Sequence, residues 1–255
     1  MSLSNPTKTI ISPVKRYFRW NGSNGTLSYY DKEKQTNVET KLPLQIIPID
    51  QLSCVEGFNA KADKGFRSNE VKKSAEQPLV VRWNGGGIIV EGLYKNIKEK
   101  ITLLGGKYHQ SIYFVTMIDG KLEICNLKLK GAAMSAWLDL QKGLSSSIEG
   151  NLVTISRSEQ MKTGNVPYYI PVFSIKKASE KLYNEAVRLD GELQSYFASR
   201  NSIEYSAGEF LGDDVDTTPL SEEEKTQLSK PKSKNTKSSI EIIEESQEEF
   251  FKDWE

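Results

Sequence analysis

The stretch SIYFVTMIDGKLEICNLKLK, residues 111–130, leaves the chain little choice of local structure. Two apolar arms flank Asp119-Gly120, a dipeptide that accepts positive φ at both central positions of a type I′ turn and so closes a tight antiparallel hairpin. The second arm changes phase. Leu122 and Ile124 share one face, then Cys125, Leu127 and Leu129 take the other, which predicts a bulge near Ile124.

Similar signals run through the first half of the chain. VKRYFRWN leads through Gly-Ser-Asn-Gly into TLSYYDK, and PLVVRWN leads through three glycines into IIVEGLY. The repeated RWNG, at 19–22 and 82–85, marks aromatic strand ends entering Asn-Gly turns rather than a repeat architecture. LPLQIIPIDQLSCVEGF is extended, and Pro43 and Pro48 assign it to an edge or a broken strand. Residues 59–77 read as a long basic loop. GAAMSAWLDLQKG carries Ala133, Trp137 and Leu140 at helical spacing, with Gly143 as a stop. NLVTISRSEQMK and PYYIPVFSIKK form a strand pair across Thr163-Gly164-Asn165. Residues 178–198 form a helix whose Leu182, Ala186, Leu189, Leu193 and Tyr196 make one apolar stripe behind the cap Ser179.

Strands, one short helix, then two more strands is the order of an OB-fold, a five-stranded Greek-key barrel. The expected fold is therefore mainly β: an OB-fold-like barrel with added N-terminal strands, an inter-strand helix and a C-terminal helix. The expected division is 1–200 for the barrel domain, 201–240 for a flexible linker and 241–255 for a disordered acidic tail.

Net charge is zero, but residues 1–200 hold 28 Lys+Arg against 19 Asp+Glu, and residues 201–255 hold 6 against 15. A body of +9 with an arm of −9 suits a polyanion ligand. Two isolated cysteines, no signal peptide and no long apolar run point to a reducing cytosol and away from a membrane. Catalytic signals are sparse. His109 is the one histidine. No Cys/His set has zinc spacing, Gly106-Lys107 lacks the rest of a phosphate loop, and no serine elbow appears. No enzyme activity, cofactor or metal is expected.

Aromatics interleaved with bases carry the functional reading. Bases track phosphates while rings stack on unpaired bases at about 1–3 kcal/mol each, so the mixture suits single-stranded nucleic acid. The candidate binding residues are Tyr17, Arg19, Phe58, Lys61, Lys64, Phe66, Arg67, Arg82, Trp83, Lys107, Tyr108, Lys162, Tyr168 and Tyr169. Strand alternation puts Tyr17 and Arg19 on one face and Phe18 and Trp20 on the other; Tyr17 and Arg19 are expected outward, because burying an unpaired guanidinium is costly. Trp137, Phe114 and Phe173 are expected in the core. In the tail, Glu248, Glu249, Phe250, Phe251, Asp253 and Trp254 combine carboxylates with rings, as single-stranded DNA combines phosphates with bases. Such a tail can dock on partners and compete with DNA, at a tethered concentration on the order of mM.

Together, LEICNLKLKGAAMSAWLDLQ, GNVPYYIPVFSIKKASEKLYNEAVRLDGELQSYF and the acidic aromatic tail resemble the single-stranded DNA-binding proteins of bacteriophages. The resemblance covers roughly residues 110–200 and the tail; residues 1–100 and the terminal Glu255 depart from it. It implies a sequence-tolerant single-stranded DNA-binding protein of replication, recombination or repair in the bacterial host cytoplasm. Its tail would recruit replication or recombination proteins, and a homo-oligomer is possible. The alternative class is a virion or assembly module with the tail as docking peptide.

Overall fold

The computed structural model describes residues 11–207, with side chains to residue 200. The expected tail and most of the expected linker lie outside the described residues.

The fold is mainly β. Eleven strands form one sheet: β1 (Arg16–Asn21), β2 (Thr26–Asp31), β3 (Thr36–Thr40), β4 (Leu44–Asn59), β5 (Lys64–Ser68), β6 (Leu79–Trp83), β7 (Ile88–Gly92), β8 (Gly106–Ile118), β9 (Lys121–Leu129), β10 (Asn151–Thr163) and β11 (Val166–Lys177). The helices are α1 (Tyr94–Leu103), α2 (Gly131–Lys142) and α3 (Glu180–Ala207). The strand order is β3-β2-β1-β9-β8-β4-β5-β6-β7, and β10 branches from β4 to carry β11. The sheet does not close: in place of the expected five-stranded barrel there is one open eleven-stranded sheet. The β1–β2 hairpin reaches β11 by two single bonds: Tyr169 N–H donates to the Gly22 carbonyl at 2.8 Å, and the Trp20 indole N–H to the Tyr169 carbonyl at 3.0 Å.

Asp119 and Gly120 both have positive φ, 49° and 79°, as a type I′ turn requires. β9 carries no bulge: its register with β8 is continuous from Lys121 to Leu129. The phase change has another cause, which is burial on both faces. Cys125, Leu127 and Leu129 enter one core, and Leu122 and Ile124 pack on the other side of the sheet beneath α3. β4 is central rather than an edge, pairing with β8, β5 and β10. Pro48 is tolerated there because the β8 register slips between Pro48 and Asp50, where a missing N–H leaves no gap in the ladder. The segment expected as a long loop contains β5, and the segment expected as strands only contains α1.

Three apolar clusters result. The first holds Phe18, Trp20, Phe114, Leu127 and Val153 under Met134 and Trp137 of α2. The second joins Ile47, Leu52, Tyr113, Val115 and Ile124 to Ala186, Leu189, Leu193 and Tyr196 of α3, the stripe the periodicity gives. The third, Val55, Phe66, Leu79 and Val81 against Ile97 and Ile101 of α1, stabilises the β5–β7 extension. Each fully buried aliphatic or aromatic side chain contributes about 1.5–3 kcal/mol.

Candidate nucleic-acid interface

Residues directly opposite in an antiparallel ladder point to the same side of the sheet. Glu56 of β4 opposes Lys107 of β8 and Arg67 of β5. Arg67 in turn opposes Arg82 of β6. One cross-strand row therefore reads Arg82, Arg67, Glu56, Lys107. On the same side, Arg19 of β1 is level with Lys128 of β9. Both reach Glu56: Arg19 Nη2 lies 3.2 Å from Glu56 Oε2, and Lys128 Nζ bonds Glu56 Oε1. The Glu56 carboxylate thus holds two cations directly, and Arg67, Arg82 and Lys107 share its row.

These charges are unequally buried. The Lys128 side chain is 6% exposed, and those of Arg19 and Glu56 are 14% each. Burial by itself would raise the Glu56 pKa, but Lys128, Arg19 and His109 outweigh it and hold the carboxyl well below its ordinary range. His109, opposite Cys54 on the same face, is buried, and its Nδ1 lies 3.1 Å from the Lys107 carbonyl. Burial lowers its pKa to about 3, aided by Lys130, Arg19 and Lys128 and opposed by Glu56, so the imidazole is neutral at pH 7. Arg67 and Arg82 are half-buried and Lys107 is exposed.

Arg19 and Tyr17 lie on the expected face, opposite the buried Phe18 and Trp20, but that face is internal at this point. Tyr17 packs with the α3 cluster, its hydroxyl lies 3.4 Å from Ser12 Oγ, and burial raises its pKa. Three expected stacking rings are core residues. Phe66 is 2% exposed and meets Trp83 edge-on at 5.7 Å, both in the third cluster. Tyr108 packs with Tyr94 at 4.6 Å and shares a hydrogen bond of 3.0 Å with Ser74. They alternate with Arg67, Arg82 and Lys107 along their strands and so point to the opposite side.

Lys61 and Lys64 are exposed at the β4–β5 turn, and half-buried Phe58 is two residues beyond Glu56 on the cationic side. Lys162, Tyr168 and Tyr169 are on the β10–β11 hairpin, which joins β4 only through Leu44–Ile46, the end away from Phe58. Tyr169 is a packing residue: a Cβ on Gly25 would lie 2.9 Å from its ring. Glu248, Glu249, Phe250, Phe251, Asp253 and Trp254 lie outside the described residues. Sequence reasoning passed over Glu56 and Lys128. Parity was the available signal, since inward Leu127 and Leu129 oblige Lys128 to face Arg19.

Chain comparison adds no relatives. No protein-family model, curated protein or solved structure matches this chain. The described residues hold no cluster of His, Cys, Asp and Glu able to bind a metal. Burial raises the thiol pKa of Cys54 and pushes that of Cys125 up to about 12, so neither is an activated nucleophile. No helix among the described residues is long and apolar enough to cross a membrane.

Proposed function

We propose that the chain is a non-enzymatic, sequence-tolerant single-stranded DNA-binding protein of the kind bacteriophages use in replication, recombination or repair, working in the cytosol. The observation that carries this reading is the basic side of the sheet, where Arg67, Arg82 and Lys107 share a cross-strand row with Glu56, whose carboxylate takes Arg19 and Lys128. A sheet face rich in Arg and Lys attracts a polyanion. The strand connectivity supports the same reading. The pairing order β9-β8-β4-β10-β11, with α2 between β9 and β10, suits an OB-fold-like arrangement of five strands and an inter-strand helix. In that correspondence β5–β7 and α1 are an enlarged first loop, one of the places from which OB-folds hold oligonucleotides. The tail, 241–255, would recruit partner proteins and compete for the same face.

The test is a titration of the full chain with fluorescein-labelled dT20 and with a 20-base-pair duplex at two salt concentrations. Phosphate contacts by Arg67, Arg82, Lys107, Lys61 and Lys64 set a slope of log K against log[salt] of about −3.5, from about −0.7 per phosphate on single strands. Binding to dT20 stronger than to duplex, with such a slope, is the expected result. Equal affinity for the two, or none, overturns it, and stable association with a protein instead favours an assembly module. Removing 241–255 should raise dT20 affinity or leave it unchanged.

A further inference from the structure

Phe58 differs from the other candidate rings. It is half-buried on the cationic side of β4, yet among the described residues it belongs to none of the three apolar clusters and stacks on no ring. Its cross-strand partner is Gly65, so no side chain leans on it from β5. Beyond Gly65 comes Asn84, whose N–H donates to the Gly65 carbonyl at 2.9 Å. A Cβ on Gly65 would lie 2.6 Å from Asn84 Nδ2. The Asn84 carboxamide therefore lies over the glycine that stands opposite Phe58. One step along the same face lie Arg67 and Arg82, opposite each other. Diagonal cross-strand neighbours sit about 7–8 Å apart, a distance that one nucleotide spans from base to phosphate. Arg82 bonds no carboxylate among the described residues.

We propose that Phe58, Asn84, Arg67 and Arg82 form a single-nucleotide subsite: the base stacks on Phe58, the Asn84 carboxamide meets its hydrogen-bonding edge, and the two guanidiniums share its phosphate. The subsite rests on the single-stranded DNA reading above. It adds a position where base identity is felt within an otherwise sequence-tolerant path, because an amide can donate to one base edge and accept from another. The Arg67–Arg82 pair supplies the planar, multidentate donors that phosphate oxygens take best.

The experiment uses the full chain, fluorescein-labelled dT20 and dA20, and fluorescence anisotropy. Phe58→Ala should weaken dT20 binding about 5- to 150-fold with the salt slope unchanged, as loss of one stacked base requires. Phe58→Leu, which keeps bulk without a π-face, should lose affinity similarly, and Phe58→Trp should restore it. Arg82→Gln should weaken binding and make the salt slope shallower by about 0.7. Asn84→Ala should change the ratio of dT20 to dA20 affinities by at least about 3-fold. Wild-type binding with Phe58→Ala and Phe58→Leu both unaffected overturns the subsite and leaves the broader function standing. A wild-type chain that ignores dT20 overturns both.

Discussion

Acidification from pH 7 to pH 5 is expected to cost this protein about 2 kcal/mol of folding free energy through one side chain. His109 is the only histidine in the chain, and it is 4% exposed. Its folded pKa is lowered to about 3 by burial first, then by Lys130, Arg19 and Lys128 against the pull of Glu56, from an ordinary 6.5. The unfolded chain therefore takes up the proton first. Stability is full above the unfolded value and falls as pH drops from about 6.5 toward 3, with a limiting slope of about 1.4 kcal/mol per pH unit. Between pH 7 and pH 5 the loss integrates to about 2 kcal/mol, and any folded pKa below about 4 gives nearly the same figure. Glu56 does not blur the window. Its folded pKa is depressed, so its contribution is present above the ordinary 4.5 and is lost as pH falls below that toward the folded value. Urea unfolding followed by tryptophan fluorescence at pH 7 and pH 5 reads the effect, with His109→Gln as the control. All other titrating groups are common to both proteins. Wild type should lose about 2 kcal/mol more than His109→Gln over this interval; a difference below about 0.5 kcal/mol would refute a buried, neutral imidazole.

Two further perturbations address the interior. Glu56→Gln leaves Arg19 and Lys128 without their shared carboxylate and should cost about 3–5 kcal/mol in urea unfolding. Lys128→Met added to it should recover part of that loss, and strict additivity in the double-mutant cycle would count against the buried pair. Phe66→Ala should cost about 3–5 kcal/mol, because the ring fills the third cluster. Its dT20 affinity, measured where the variant is folded, should stay near wild type, and a loss of salt-independent binding would return Phe66 to the list of stacking rings.

The sequence was legible wherever a local rule decided the outcome. Asp119-Gly120, the two RWNG turns, the Trp137 helix and the Leu182-to-Tyr196 stripe each depend on residues a few positions apart. The β1 alternation also separated Phe18 and Trp20 from Tyr17 and Arg19. What covers that second face was not legible, because Glu56 and α3 arrive from distant parts of the chain. Helix α1 was obscured because only Ile97 and Ile101 are buried on it and no side chain caps its start, leaving almost no apolar stripe. The strand β5 hid in a basic segment, since only Phe66 and Ser68 of its five residues are buried. The proline rule misplaced β4, because a register slip can host Pro48 in a central strand. For the site, Arg67, Arg82 and Lys107 share a face, while Phe66, Trp83 and Tyr108 beside them cannot, since neighbours in a strand point opposite ways.

The parallel pairing of β1 with β9 also dictates an order of events at the ribosome. Arg16 is the partner of Cys125, about 110 positions later, a loop whose closure carries an entropic cost before any contact rewards it. At about 5–20 residues per second, synthesis of that interval takes about 5–20 s. Through that time the nascent β1–β2–β3 meander has a bare inner edge, with Phe18 and Trp20 uncovered. The first strands made therefore wait for a partner until β9 is synthesised.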